Sequence, residues 1–314
     1  GIEIRLGDLF APVAGEAFDL IMSNPPFVVT PRGDEIGRYE YRDAGLVGDE
    51  LAQLVVRHGP KYLREGGMLV CLANWECPWG VDGLARVRGW IAEAEQALEP
   101  AATLAAWVIE RDRVSPVRYA ETWARDGGAR PGDPEFEHLI DAWLDDFAER
   151  RVVSLGLGSI RLLRLAPAAG ARAAAALVHA ERAEGAFSDA AGEDLAASFD
   201  TALRVAQHDD AAVLATRWVR GTDVVEHREH VPGDEAPYAL ALTSGAGIAR
   251  RVTADPLLAA AVGACDGDLT LGQIVGALAT LLEVDEDAAA EALVAGVREL
   301  VWLGMLQPAE EAAE

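Results

Sequence analysis

The stretch Phe18–Phe27, FDLIMSNPPF, decides the fold and raises the first functional question. An apolar run typical of a buried strand ends abruptly at Asn24, and two prolines and an aromatic residue follow. Asn-Pro and Pro-Pro are strong turn signals, so one interpretation is a loop that merely ends a strand. In open α/β sheets, however, ligands bind beside the carboxyl ends of strands. The position of Asn24–Phe27, which we call the NPPF turn, therefore predicts a functional site.

The residue types in the NPPF turn suit one kind of chemistry. A planar amino group is a poor nucleophile because its lone pair is delocalised into the π system. If the Asn24 side-chain carbonyl and the Pro25 backbone carbonyl accept its two hydrogens, the lone pair is turned toward an electrophile. Pro26 stiffens the turn and brings no competing N–H group. Phe27 can stack on a flat target, an interaction on the order of 1 to 3 kcal/mol for a base.

FDLIMSNPPF resembles motif IV of the class I S-adenosylmethionine-dependent methyltransferases that modify planar amino groups. These include release-factor glutamine methyltransferases, ribosomal RNA guanine methyltransferases, and DNA or RNA adenine methyltransferases. The resemblance covers roughly residues 1–167 and implies part of a seven-stranded, Rossmann-like sheet, in which motif IV follows the fourth strand. It implies that Asn24 and Pro25 hold the target amine, that Phe27 stacks on it, and that S-adenosylmethionine is the cofactor.

The cofactor side of the resemblance is incomplete. Asp8, at the end of the expected strand Ile2–Asp8, matches the position where the family places an acidic residue near the cofactor adenine, although an exposed strand-end carboxylate explains it equally well. The glycine-rich loop and second acidic residue of the family have no counterpart. We therefore expect them upstream of Gly1, and expect this chain to be incomplete for activity. Leu155–Ser159, LGLGS, is rejected as a substitute because a strand, not a helix, continues after it.

Two further positions are weaker substrate-binding candidates. Arg42 lies in Tyr41–Leu51, in the segment that the resembled family uses to frame the substrate, and with Arg32 and Arg38 it could meet a phosphate or carboxylate. A solvated loop is the competing interpretation. Asn74–Glu76, NWE, ends the next expected strand and faces the same edge of the sheet. It could line the pocket, with Trp75 as the named candidate, unless Trp75 only packs at the strand end.

No metal site is predicted. The segment EHREH at 226–230 carries two histidines, but residues three apart in a strand point to opposite faces. The three cysteines, Cys71, Cys77 and Cys265, are too few and scattered for a zinc site or a disulfide framework, which favours a reducing, cytoplasmic compartment.

The order of patterns predicts an α/β domain over 1–167 and an α+β accessory domain over 168–314. In the first, a mostly parallel sheet covered by helices is expected. Its strands are predicted at Ile2–Asp8, Phe18–Ser23, Met68–Asn74, Thr103–Glu110 and Arg150–Leu165, and its helices at 48–63, 83–98 and 133–151. In the second, 211–221 and 223–233 are expected to pair as strands. Residues 255–308 resemble a winged-helix module, with Thr270 and Asp285 as helix caps.

Composition limits the possible partners. The formal net charge of −25 argues against a protein that coats nucleic acid, and no apolar stretch reaches the length of a membrane span. Between Asp255 and Pro308 there is one arginine, Arg298, against nine acidic residues. That segment is therefore expected to be a packing or protein-interaction module and not a DNA reader.

Together these features predict an S-adenosylmethionine-dependent N-methyltransferase. The acceptor is either a nucleic-acid base amine or a protein glutamine amide, and the motif does not decide between them. The alternative is a non-catalytic interaction protein that keeps a degenerate methyltransferase fold.

Overall fold

A computed structural model describes residues 1–31, 46–167, 177–234 and 236–309. The chain forms two compact units, Gly1–Arg182 and Ala183–Glu314. The sequence placed this boundary at residue 167. It falls later because Val178–Arg182 forms a strand that joins the sheet of the first unit.

The first unit is an α/β structure, as predicted. Its strands are β1 (Phe18–Ser23), β2 (Leu63–Pro78), β3 (Thr103–Val114), β4 (Val152–Leu165) and β5 (Val178–Arg182), and its helices are α1 (Glu50–His58), α2 (Gly83–Gln96), α3 (Pro116–Asp126) and α4 (Pro134–Glu149). Short 3₁₀ helices lie at Ala11–Val13 and Gly59–Tyr62.

The sheet of the first unit is mixed, with strand order β1-β2-β4-β3-β5. The outer pairs β1–β2 and β3–β5 are parallel, while β4 runs antiparallel to both β2 and β3. Thus β4 alone opposes the other four strands. The helix predicted at 133–151 is confirmed as α4, and the connection between β3 and β4 holds both α3 and α4.

The prediction of a strand at Ile2–Asp8 was wrong. The segment forms no strand, and the side chains of Ile2, Ile4 and Leu6 are at least 90% exposed. Its alternating pattern is not sufficient, because a strand must pair its backbone N–H and C=O groups with a neighbour. In the described chain, β1 lies at the edge of the sheet and pairs with β2 alone.

Two apolar clusters flank the sheet. Helices α1 and α2 pack through residues such as Val56 and Trp90 against the strands, in a cluster that includes Trp75. Helices α3 and α4 form the second cluster, which also takes in Val28 and Val29 from the chain after the NPPF turn. The turn is therefore attached to the core by the two residues that follow it.

The second unit contains helices and two small antiparallel sheets. Its elements are α5 (Ala191–Ala206), α6 (Asp210–Ala215), β6 (Arg217–Arg220), β7 (Val225–Glu229), β8 (Ala239–Ser244), β9 (Arg250–Ala254), α7 (Pro256–Gly263), β10 (Asp266–Thr270), α8 (Leu271–Leu282), α9 (Glu286–Trp302) and β11 (Leu306–Pro308). The strand orders are β10-β6-β11 and β7-β8-β9. No helix of the described residues is long and apolar enough to cross a bilayer.

The predicted pairing of 211–221 with 223–233 was wrong. Residues 211–215 are helical because Asp209 caps them, its side chain accepting a hydrogen bond from the Ala212 N–H. Strands β6 and β7 then join different sheets. The predicted caps Thr270 and Asp285 are confirmed at the starts of α8 and α9, and the strand β10 ends at Thr270.

Candidate functional site

The NPPF turn carries the chain from the surface into the core within a few residues. Asn24 directly follows β1 and is exposed, whereas Pro25, Pro26 and Phe27 are half-buried. Val29, two residues beyond the turn, is only 1% exposed. The side-chain amide of Asn24 is thus exposed at the carboxyl end of β1, while Val29, at the other end of this short segment, is buried in the core.

Side chains from two helices hold the backbone of Val29. Its N–H donates to the hydroxyl of Tyr119 on α3, with 2.9 Å between nitrogen and oxygen. Its carbonyl accepts a hydrogen bond of 2.7 Å from the indole Nε1 of Trp143 on α4. Both bonds are buried, where an unpaired backbone group would be costly. They satisfy both backbone groups of Val29.

The ring of Phe27 is supported from the same helices. It meets Trp123 edge to face, with ring centroids 6.4 Å apart and planes at 70°. Trp123 in turn lies 6.0 Å from the ring of Tyr119. Phe27 is therefore oriented by packing on one side while part of its surface remains exposed.

A small cleft of about 10 Å³, enough for about one water molecule, lies beside the NPPF turn. It is lined by residues of the turn and the position after it, of the segment around α1, and of β2: Pro26, Phe27, Val28, Leu46, Gly48, Asp49, Leu51, Ala52 and Asn74. The end of Tyr41–Leu51, predicted to frame the substrate, thus lies against the turn. Arg32, Arg38 and Arg42 lie outside the described residues.

Buried charges fasten the 48–49 segment to β2. The Asp49 carboxylate accepts hydrogen bonds from the Glu76 backbone N–H at 2.8 Å and from Arg86 at 2.6 Å. The side chain of Glu76 pairs with Arg150 at 2.8 Å, and Arg150 also pairs with Asp146 at 2.6 Å. Burial, together with the nearby Asp49, raises the pKa of Glu76 despite the Arg150 guanidinium.

Gly48 is required where this segment crosses Glu76. Its φ of 58° lies in the left-handed region, and a Cβ there would come within 2.9 Å of the Glu76 carboxylate oxygen Oε1. A side chain at this position would both strain the backbone and displace a buried charged group. The wall of the cleft is therefore held close to β2.

Trp75 does not line the cleft. It is fully buried in the cluster with α1 and α2, and its Nε1 donates to Glu110 at 3.1 Å. Strand alternation explains the difference, because consecutive side chains point to opposite faces. Its neighbour Asn74 is the cleft residue, 2% exposed, and donates from Nδ2 to the Tyr119 hydroxyl at 3.0 Å. Of the predicted segment Asn74–Glu76, Asn74 is thus the residue that lines the cleft.

Neither Asp8 nor the LGLGS segment forms part of a loop that could hold a cofactor. Asp8 is exposed in a turn before the 3₁₀ helix Ala11–Val13, not at a strand end. The LGLGS glycines lie inside β4, and a Cβ added to Gly156 would come within 2.2 Å of the Trp75 indole nitrogen. That space is filled by protein, so LGLGS provides no loop for a ligand.

Within the described ranges, no group of three or more His, Cys, Asp and Glu side chains could hold a metal ion. The EHREH residues take part in other contacts. The His227 Nε2 lies 2.9 Å from the Thr243 hydroxyl, and Glu229 pairs with Arg251 at 2.7 Å.

Comparisons with known proteins identify a family model and curated relatives. A family described as a domain of unknown function (DUF7782) matches residues 200–308. The ribosomal protein uL3 glutamine methyltransferase of Xanthomonas campestris is 34% identical over 76 residues, which cover 22% of this chain and 25% of that protein. The release factor glutamine methyltransferase of Geobacter sulfurreducens is 39% identical over 71 residues, covering 20% and 25%.

The release factor glutamine methyltransferase of Xylella fastidiosa is 32% identical over 101 residues, which cover 30% of this chain and 36% of that protein. The chain thus spans about a quarter to a third of the length of these curated relatives. Part of this chain is similar to part of glutamine methyltransferases, and its mixed α/β sheet fits a methyltransferase-like fold.

Proposed function

We propose that this protein is an S-adenosylmethionine-dependent N-methyltransferase whose acceptor is the side-chain amide of a protein glutamine. The observation that carries the proposal is Asn24, an exposed amide in an Asn-Pro-Pro-Phe turn at the carboxyl end of β1. The similarity to glutamine methyltransferases supports it independently.

The NPPF turn would act on the acceptor. The Asn24 side-chain carbonyl and the Pro25 backbone carbonyl accept the two hydrogens of the glutamine amide, so the nitrogen lone pair is directed out of the amide plane. Pro26 keeps the turn rigid because its ring fixes φ. Phe27, held by Trp123, covers the flat face of the amide. The buried bonds to Val29 keep this arrangement in place before the acceptor arrives.

S-adenosylmethionine supplies an electrophilic methyl group when it is bound. The described residues do not fit this donor, because the exposed Asp8 and the edge at Asn24 are the only candidate contacts we identify and LGLGS is closed. We therefore assign this part of the chain to the acceptor side and derive no step through the donor.

A protein acceptor is favoured over a base for two reasons. The relatives are named as methyltransferases of a ribosomal protein and of a release factor. A net charge of −25 also opposes a phosphate-rich acceptor, whose binding requires cations at the surface. The winged-helix-like 255–308 segment, with one arginine against nine acidic residues, is proposed to pack or to bind protein.

The test is to find where the methyl group goes. The product of the complete gene is incubated with isotope-labelled S-adenosylmethionine and, separately, with ribosomal protein uL3, release factor, ribosomal RNA and duplex DNA from the same organism. Mass spectrometry then locates the label. We expect it on a glutamine of one of the proteins. Label on a base would overturn the protein acceptor, and no transfer despite measured donor binding would favour the non-catalytic alternative.

A further inference from the structure

We propose that Tyr119 is a positioning residue, whose hydroxyl sets the distance between the NPPF turn and Asn74 and so keeps the acceptor site open. This inference rests on the proposed function for its catalytic consequence, but its structural part can be measured without any acceptor.

The hydroxyl oxygen of Tyr119 joins two segments that the chain does not connect locally. It accepts the Val29 N–H at 2.9 Å and the Asn74 Nδ2–H at 3.0 Å. Val29 follows the turn, whereas Asn74 belongs to β2 and lines the cleft together with Phe27 and Val28. One oxygen atom therefore links the chain just after the turn to a cleft residue on β2.

This hydroxyl is fully inside the protein. Tyr119 is 1% exposed, and its ring lies 5.9 Å from that of Phe147 within the cluster of α3 and α4. Burial raises the pKa of the Tyr119 hydroxyl, so the phenol stays neutral and accepts both bonds without a buried charge. A phenylalanine would pack equally well, so the specific contribution of tyrosine is the link.

Helix α3 delivers the link and the ring support together. It begins after Ser115, whose side chain accepts a hydrogen bond from the Arg118 N–H, and Pro116 occupies its first turn. Tyr119 and Trp123 are four residues apart and therefore lie on the same helix face. Tyr119 holds Val29 while Trp123 contacts Phe27.

Side chains of two helices thus contribute to the position of the turn. The carbonyl of Val29 is held by Trp143, so both backbone groups of this residue depend on side chains. Loss of the Tyr119 hydroxyl would leave two buried donors without an acceptor and release the turn at one point. Asn24 itself would be unchanged, but its side chain would no longer be held in the same position.

The experiment uses Tyr119→Phe in the product of the complete gene. Amide hydrogen exchange is followed at Val29 by NMR. With the acceptor that the labelling experiment identifies, kcat and the KM for S-adenosylmethionine are measured separately. We expect Val29 to exchange about tenfold faster or more, and kcat to fall about tenfold, with the KM for the donor unchanged. Tyr238→Phe is the matched control, because it removes an exposed hydroxyl bond to Glu229 in the second unit.

A second variant guards against misfolding. Trp143→Phe leaves the Tyr119 bonds intact but removes the donor to the Val29 carbonyl, and we expect changes in the same direction. If Val29 exchange is as slow in both variants as in the wild type, or if kcat is unchanged, the inference is wrong. If the wild type methylates none of the acceptors, the proposed function fails, while Val29 exchange still decides whether Tyr119 fixes the turn.

Discussion

Two strand ends in this protein are held by side chains, and they differ in what remains exposed. After β1, neutral side chains hold the Val29 backbone and Asn24 stands exposed. After β8, the loop Ser244–Gly247 is held by carboxylates. Asp223 accepts hydrogen bonds from the Gly245 and Ala246 N–H groups at 2.8 and 3.0 Å.

The loop after β8 shows that a glycine-rich strand end is not by itself a binding site. Its backbone donors are occupied by the protein's own acids, including Asp194, which accepts the Gly247 N–H at 2.8 Å. In the NPPF turn the buried groups are likewise satisfied, but a polar side chain is left at the surface in front of them. The site is marked by that exposed amide together with its buried support.

The largest stability effect is expected from the buried charges behind the cleft. Arg150→Met leaves the carboxylates of Glu76 and Asp146 buried without their cation, which should cost about 3 kcal/mol in the free energy of unfolding. Urea unfolding measures it. Arg125→Met is the control, because its pair with Glu121 is largely exposed and should change the value by less than about 1 kcal/mol. Equal effects would contradict a special role for the buried cluster.

A smaller effect is expected at the loop after β8. Asp223→Ala removes the acceptor of the Ser244 hydroxyl and of two backbone N–H groups, and should cost about 2 kcal/mol at neutral pH. Burial acts to raise the pKa of Asp223, but these hydrogen bonds hold it below its ordinary value of 3.8. Because the folded pKa is lowered, the stabilisation is present above pH 3.8 and is lost as the pH falls through the folded value.

Unfolding of wild type and Asp223→Ala is therefore compared from neutral to acidic pH. The difference in unfolding free energy should shrink below pH 3.8. A constant difference across that range would mean that the carboxylate charge does not hold the loop.

Glu76 should show the opposite, and smaller, pH dependence. Its folded pKa is raised above the ordinary value of 4.5, chiefly by burial, so the folded protein binds more protons than the unfolded chain above that pH. Its contribution to stability is fully present below pH 4.5 and declines as the pH rises through the folded pKa. The advantage of wild type over Glu76→Gln should therefore decrease with rising pH. An advantage that grows with pH would contradict the raised pKa.

Local patterns predicted much of the first unit. Strand β1 and helices α2 and α4 follow from an apolar run or from helical spacing with caps, and β4 was recognised because no helix follows LGLGS. The expected strand at Ile2–Asp8 failed because strand formation depends on a partner, which local alternation does not reveal. The predicted pairing of 211–221 with 223–233 failed for the same reason, since β6 and β7 have partners in different sheets.

The candidate site likewise has residues that a local pattern predicts and residues that it does not. Asn24–Phe27 is visible in the sequence because its chemistry lies in consecutive residues. Tyr119 is 90 residues from Val29 and 45 from Asn74, so no local pattern links them. Of the predicted segment Asn74–Glu76, Asn74 lines the cleft and Trp75 does not, because the strand was expected to end at residue 74, whereas β2 continues to Pro78 and buries the indole.

The central claim is that Asn24 touches the acceptor and not the donor. In the product of the complete gene, kcat on the identified acceptor and the Kd for S-adenosylmethionine are measured for Asn24→Ala and for Gln96→Ala, which removes an exposed amide on α2. We predict that Asn24→Ala lowers kcat about 100-fold or more while the donor Kd stays within about twofold, and that Gln96→Ala changes neither. Turnover by Asn24→Ala equal to wild type would contradict the account.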